Sequence, residues 1–173
     1  LRTTTQLIVR SAMEPTLSKR YSNNDRSIRY NRLNCMMFMD TFLSKIKSSR
    51  GNLVCQVFTT DFGYTHIAPM INRKSLVHVL KNMFKEIGVP PKIVCDGARE
   101  QVQGDANRLC QLSSCHVVEL EQGTQQANRA ERVVKKTKTE VKSDMKTSGS
   151  PGAFWDYCAV RRSKINNIIA HDT

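Results

Sequence analysis

Long apolar runs, paired cysteines and acids in proportion to bases are all missing from this sequence, and each shortage removes a class of function. No run approaches the roughly 18 apolar residues that a membrane-spanning helix requires, so a soluble protein with no membrane partner is expected. The six cysteines, Cys35, Cys55, Cys95, Cys110, Cys115 and Cys158, include no CxxC pair, and four lie in apolar segments where thiols pack as small hydrophobes. They read as reduced and intracellular. His66, His78, His116 and His171 show neither HxxxH spacing nor a neighbouring cysteine pair, which argues against zinc. GxSxG, P-loop, GxGxxG and HExxH motifs are absent too, and with them any obvious small-molecule substrate. Acids are the scarcest class: 15 Asp and Glu stand against 27 Lys and Arg, a net charge of +12. Such an excess favours a polyanionic partner, nucleic acid ahead of an acidic membrane surface.

What is present is a globular composition, 39% hydrophobic and 24% charged over 173 residues, enough for one domain with a real core. The chain starts at Leu1 without an initiator methionine or signal peptide and stops on His171-Asp172-Thr173, which reads as a segment of something longer. Residues 1–33 are polar and basic, with Arg20, Arg26, Arg29 and Arg32 in no clean period; they are expected to be an arm or linker, either solvated or lying on a nucleic-acid backbone. Residues 34–173 carry the domain.

Within it, residues 34–43 and Leu53 to Phe58 read as strands joined by the turn Ser48-Ser49-Arg50-Gly51-Asn52, and Tyr64 to Met70 follows as a third after Asp61-Phe62-Gly63. Leu76, Val79, Leu80 and Phe84 have helical spacing up to Gly88. A short buried strand at Lys92 to Cys95, a helix near 105–112 and a strand at His116 to Leu120 come next. After Gly123-Thr124 a long helix is predicted from about Gln126 to Met145, with Ala130, Val134, Thr137, Val141 and Met145 in one stripe. Gly149-Ser150-Pro151 ends it, and a last helix packs through Phe154, Trp155, Cys158, Val160, Ile165 and Ile168-Ile169, with Trp155 and Tyr157 read as core. The order βββαβαβαα predicts an α/β fold, a five-stranded mixed sheet flanked by helices.

Three acids stand out. Asp40 closes the apolar run Cys35-Met36-Met37-Phe38-Met39, Asp96 follows Ile93-Val94-Cys95, and Glu131 lies early in the long helix. Asp40 and Asp96 are expected to end neighbouring strands, the edge of an open sheet where ligands bind. Three carboxylates from separate elements can hold Mg²⁺ or Mn²⁺, and a pair of such ions can stabilise both oxygens of an in-line displacement at phosphorus. Lys135, Lys138 and Lys142 follow Glu131 at four, seven and eleven residues, one helix face that could track phosphates; Arg132 is a further basic candidate. Ordinary readings stand beside these. Asp96 could cap a following helix, Glu131 and Lys135 could be only a solvated i,i+4 pair, and Asp61 reads as a turn residue.

These residues also carry a resemblance. Asn24-Asp25-Arg26 with Ile28-Arg29-Tyr30, Phe38-Met39-Asp40-Thr41-Phe42, Gly88-Val89-Pro90, Cys95-Asp96-Gly97-Ala98-Arg99-Glu100-Gln101, Asn128-Arg129-Ala130-Glu131, and Trp155-Asp156-Tyr157-Cys158 through Arg161-Arg162 to Ile165-Asn166-Asn167 resemble the integrase catalytic core of copia-type LTR retrotransposons, relatives of the retroviral integrases with the RNase H-like fold. That family's signature is two aspartates and a glutamate, the last two about 35 residues apart; here 34 residues lie between Asp96 and Glu131 and 55 between Asp40 and Asp96. Glu121 and Glu140 are weaker choices for the glutamate.

The resemblance implies that Asp40, Asp96 and Glu131 bind Mg²⁺ or Mn²⁺ and join element DNA 3′ ends to target DNA, with Lys135 and Lys138 on element DNA. It implies a homo-oligomer, and a cytoplasmic particle and then the nucleus as location. The family's zinc module and basic C-terminal domain are not seen in the sequence. A metal-dependent nuclease of the same fold, and an inactive nucleic-acid-binding relic, are the alternatives.

Overall fold

A computed structural model of the chain describes residues 30–96, 104–120 and 129–169. The basic arm before Tyr30, the segment from Gly97 through Gln101, Glu121, the Gly123-Thr124 turn and residues 126–128 lie outside the described residues.

Alternation along Met37–Leu43 (β1) decides which side chain faces where. Met37 and Met39 are buried on one face and Phe42 on the other, the two-residue period of a strand covered on both sides. β1 runs into Val54–Thr60 (β2) through a hairpin closed by the Gly51 N–H donating to the Ser48 carbonyl at 2.9 Å. Gly51 sits at φ +84°, where a side chain would be strained. Every residue of β2 is buried, because it pairs antiparallel both with β1 and with Thr65–Met70 (β3) and is roofed on both faces.

Leu76–Glu86 (α1) turns Leu76, Leu80, Met83 and Phe84 inward at helical spacing, each fully buried side chain contributing about 1.5–3 kcal/mol. It leads to Lys92–Asp96 (β4), parallel to β1, then Asp105–Leu112 (α2) and His116–Leu120 (β5), parallel to β4. Arg129–Ser148 (α3) and Trp155–Ile168 (α4) complete the domain. The strand order is β3-β2-β1-β4-β5. One core joins Met37, Met39, Phe58 and Ile93 to α1 and α2; a second joins Phe42, Cys55, Val57 and Ile67 to α3 and α4.

Where the described chain begins, it is tied to the domain. The Leu33 N–H donates to the Val89 carbonyl and the Val89 N–H to that of Asn31, at 2.9 and 2.7 Å, and Arg32 donates to the carbonyls of Ser113 and Ser114. A Cβ on Gly88 would come within 2.8 Å of the Asn31 oxygen, so glycine there is what admits the crossing.

The sheet and the stripe Ala130, Val134, Thr137 and Val141 fall where periodicity puts them. The last helix differs. Its buried residues are Trp155, Asp156, Ala159 and Ser163, while Ile168 is 83% exposed and Tyr157 48% exposed. Small residues let α4 approach β3 closely, and polar bonds complete the contact: Ser163 Oγ and Asn167 Nδ2 both donate to the Thr65 carbonyl, each at 2.7 Å, and the Thr65 N–H donates to Asn167 Oδ1 at 2.8 Å. The Asn167 amide thus takes the place of a strand neighbour at the edge of β3, which would otherwise be open to pairing. Asn167→Ala is expected to lower the unfolding free energy by about 1 kcal/mol, the net worth of such bonds at a partly exposed site, measured by urea titration. An unchanged midpoint would show that water replaces the amide.

Candidate active site

Strand register brings the two aspartates together. The β1–β4 ladder pairs Met37 with Ile93, Phe38 with Val94 and Met39 with Cys95. That ladder ends at Met39 and Cys95; carried on by one step, its register sets Asp40 level with Asp96 on strands about 4.8 Å apart, and the charge of Asp96 reaches Asp40. Asp40 therefore lies within β1 rather than at its end, as expected from sequence, whereas Asp96 is the last residue of β4. The segment from Gly97 that Asp96 could cap lies outside the described residues; the later α2 has Gly104 as its N-cap.

Glu131 comes from the first turn of α3, and α3 packs on this same face through Val134 and Val141. The three acids share one electrostatic neighbourhood, read at Asp40. Burial first, then the negative charges of Asp96 and Glu131, hold the Asp40 carboxyl above its ordinary value, against the Thr41 N–H and the Lys138 ammonium. One group fixes this carboxylate and another the backbone beneath it. The Thr41 N–H donates to Asp40 Oδ1 at 2.7 Å, and the buried Gln56 amide donates to the Asp40 carbonyl at 3.0 Å while accepting from the Thr41 hydroxyl at 2.6 Å.

The basic residues divide. Lys138 lies 5.1 Å from the Phe42 ring centroid, between Asp40 and the far end of β1. Lys142 is exposed one turn further along α3. Lys135 is paired with Glu131 at 2.9 Å, the ordinary i,i+4 contact of a solvated face. Arg132 is exposed and makes no described hydrogen bond or ion pair.

Hard oxygen donors of this kind suit Mg²⁺ or Mn²⁺, and a cation would relieve the mutual repulsion recorded at Asp40. As the side chains stand, however, no three acidic, histidine or cysteine side chains among the described residues gather closely enough to hold an ion. Glu131 is turned to Lys135 and would have to leave it. The described cysteines are all free. Burial pushes the Cys95 thiol up to about 12, consistent with a packing role.

Sequence reading passed over two features. Arg129 places its guanidinium over Phe38, 5.8 Å from the ring centroid, and donates to the Asp61 carbonyl at 2.5 Å, bracing the start of α3 against the β2–β3 turn. Asp156 is fully buried and accepts from Arg50 Nε at 2.9 Å and Asn52 Nδ2 at 2.8 Å. Arg50 also stacks 3.9 Å from the Tyr157 ring centroid, which explains why Tyr157 is surface and not core.

No protein-family model and no curated protein matches the sequence. Solved structures do match in fold. A chain of the simian T-cell lymphotropic virus intasome, solved in complex with the PP2A regulatory subunit B56 gamma, superposes with a TM-score of 0.64 at 14% identity, over 82% of this chain and 53% of that one. This chain thus spans about half the length of that relative. The HTLV-2 integrase catalytic core domain in complex with magnesium superposes at 13% identity over 75% of this chain and 82% of that one, with TM-scores of 0.59 for its trimeric form and 0.58 for its dimeric form. The five-stranded mixed sheet with flanking helices is therefore the fold of retroviral integrase catalytic cores, RNase H-like.

Proposed function

We propose that this chain is the catalytic core of a retrotransposon integrase of the copia type, a metal-dependent polynucleotidyl transferase that joins element DNA 3′ ends to target DNA. The observation that carries this reading is the placement of Asp40 and Asp96 side by side on parallel strands with Glu131 on the helix covering the same face, in a fold shared with integrase cores.

Asp40, Asp96 and Glu131 would hold Mg²⁺ or Mn²⁺, which when bound supplies charge stabilisation to the attacking and leaving oxygens. The remaining work belongs to the chain. The Thr41 N–H holds the Asp40 carboxylate in one orientation and Gln56 holds the Asp40 backbone carbonyl, the preorganisation that such chemistry needs. Lys138 sets a positive charge beside Asp40, where a backbone phosphate would lie, and Lys142 extends that charge along α3. Lys135 can serve DNA once Glu131 turns to metal. In the reaction a 3′ hydroxyl attacks a target phosphorus, the new P–O bond forms, and the bond to the target strand's 3′ oxygen breaks. The net charge of +12 supplies the sequence-independent attraction to DNA. The working form is a homo-oligomer, in a cytoplasmic particle and then in the nucleus.

A disintegration assay, which reverses strand transfer on a branched DNA, tests this in Mg²⁺ and Mn²⁺ beside Glu131→Gln and Asp96→Asn. Metal-dependent joining lost in both variants supports the reading. Cleavage without joining moves the protein to the nucleases. DNA binding with no turnover makes it a relic.

A further inference from the structure

On the face that carries the acids, a groove of about 450 Å³ opens between the end of β1, the loop that follows it, α3 and the start of α4. Phe42, Ile46, Val141 and Met145 make its floor apolar, and three exposed lysines, Lys45, Lys138 and Lys142, stand around it. No carboxylate lines it, and among the described residues none forms an ion pair with these lysines. The loop wall is preformed: Ser44 Oγ and Trp155 Nε1 both donate to the Ile46 carbonyl at 2.9 Å. A preformed wall lowers the ordering cost of binding.

The lysines call for an anion and the floor for an apolar group. DNA meets the first demand but not the second. A base in the groove would need partners for its polar edge, yet the Ser44 hydroxyl and the Trp155 N–H are already committed to Ile46. Phe42 and Trp155 are buried and offer no open ring face for stacking. A second copy of this chain is a poor occupant as well, since it brings a net charge of +12 to a lysine-rimmed site. We propose that the groove docks an acidic peptide segment of a partner protein, seating one bulky apolar side chain on the floor with flanking carboxylates on Lys45, Lys138 and Lys142. Association of this kind needs no turnover, so it stands apart from the catalytic reading.

The test is a display selection of short random peptides on the intact chain, followed by fluorescence anisotropy of the enriched sequences against Leu43→Ser and Lys45→Glu. Both residues line the groove and are exposed, so the fold tolerates the changes. Enriched peptides should combine Asp or Glu with a bulky apolar residue, and each variant should weaken them about tenfold or more, while the uncharged change Leu43→Ser leaves the affinity for a DNA oligonucleotide within about twofold. No enrichment, enrichment without the acidic and apolar pattern, or affinities indifferent to both variants overturns the proposal. Loss of oligonucleotide binding in step with the peptides would instead assign the groove to nucleic acid.

Discussion

Asp40→Asn is expected to abolish strand joining in both Mg²⁺ and Mn²⁺ and to leave the fold intact. The expected loss exceeds about 100-fold, because removing a group that merely orients a metal ligand already costs 10–100-fold and Asp40 would be a ligand itself. The fold survives because asparagine keeps the shape of the side chain and can still accept the Thr41 N–H. The substitution also removes a negative charge from a half-buried position that Asp96 and Glu131 already make unfavourable for one. A second readout separates metal binding from chemistry. An ion that binds only the folded state at about 100 times its Kd stabilises by about 2.7 kcal/mol, so saturating Mg²⁺ should raise the melting temperature of the unaltered chain and not that of Asp40→Asn. Full joining activity in the variant, or an equal rise in both, would remove Asp40 from the site.

Much of the fold was legible because the strands and α1 are simple in pattern. β4 is short and apolar, the mark of a strand covered on both faces, and Ala130, Val134, Thr137 and Val141 repeat at four, three and four. The spacing of Asp40, Asp96 and Glu131 pointed to a shared site, but spacing carries no register. Only the β1–β4 ladder, whose last pair is Met39 with Cys95, brings the two aspartates onto neighbouring strands, and only the packing of α3 on that face brings Glu131 within electrostatic reach of Asp40. The last helix misled because its apolar residues are not its packing residues. Ala159 and Ser163 make the close approach, Ile168 and Ile169 face outward, and no hydropathy pattern reveals that. Asp156 was legible in principle. An acid between Trp155 and Tyr157 is as anomalous as Asp40 in its strand, and the same rule, that unpaired acids rarely sit in apolar segments, applies to both.

Asp156 is also a buried polar link outside the hydrophobic cores. It joins the β1–β2 hairpin to the first turn of α4, receiving Arg50 and Asn52 with no exposure to water. Asp156→Ala strands the Asn52 amide, itself nearly buried, and leaves Arg50 uncompensated, for a cost of about 2–4 kcal/mol by urea titration. Arg50→Ala costs less, about 1 kcal/mol or below, because the Arg50 side chain is 44% exposed and much of its pairing is screened by water. Burial alone would raise the Asp156 carboxyl, but hydrogen bonds from Asn52, Arg50 and Ser48 outweigh it and hold the group below its ordinary value of 3.8. The unfolded chain therefore binds a proton here more readily than the folded one, and stability rises with pH through that window. The contribution is complete above the ordinary value and lost as pH falls through 3.8 towards the folded value. Asp156→Ala should lack this component, so its stability difference from the unaltered chain narrows in acid. A difference that stays constant from neutral pH to below the ordinary carboxylate range would mean that the carboxylate stabilises by shape and packing, not by its charge.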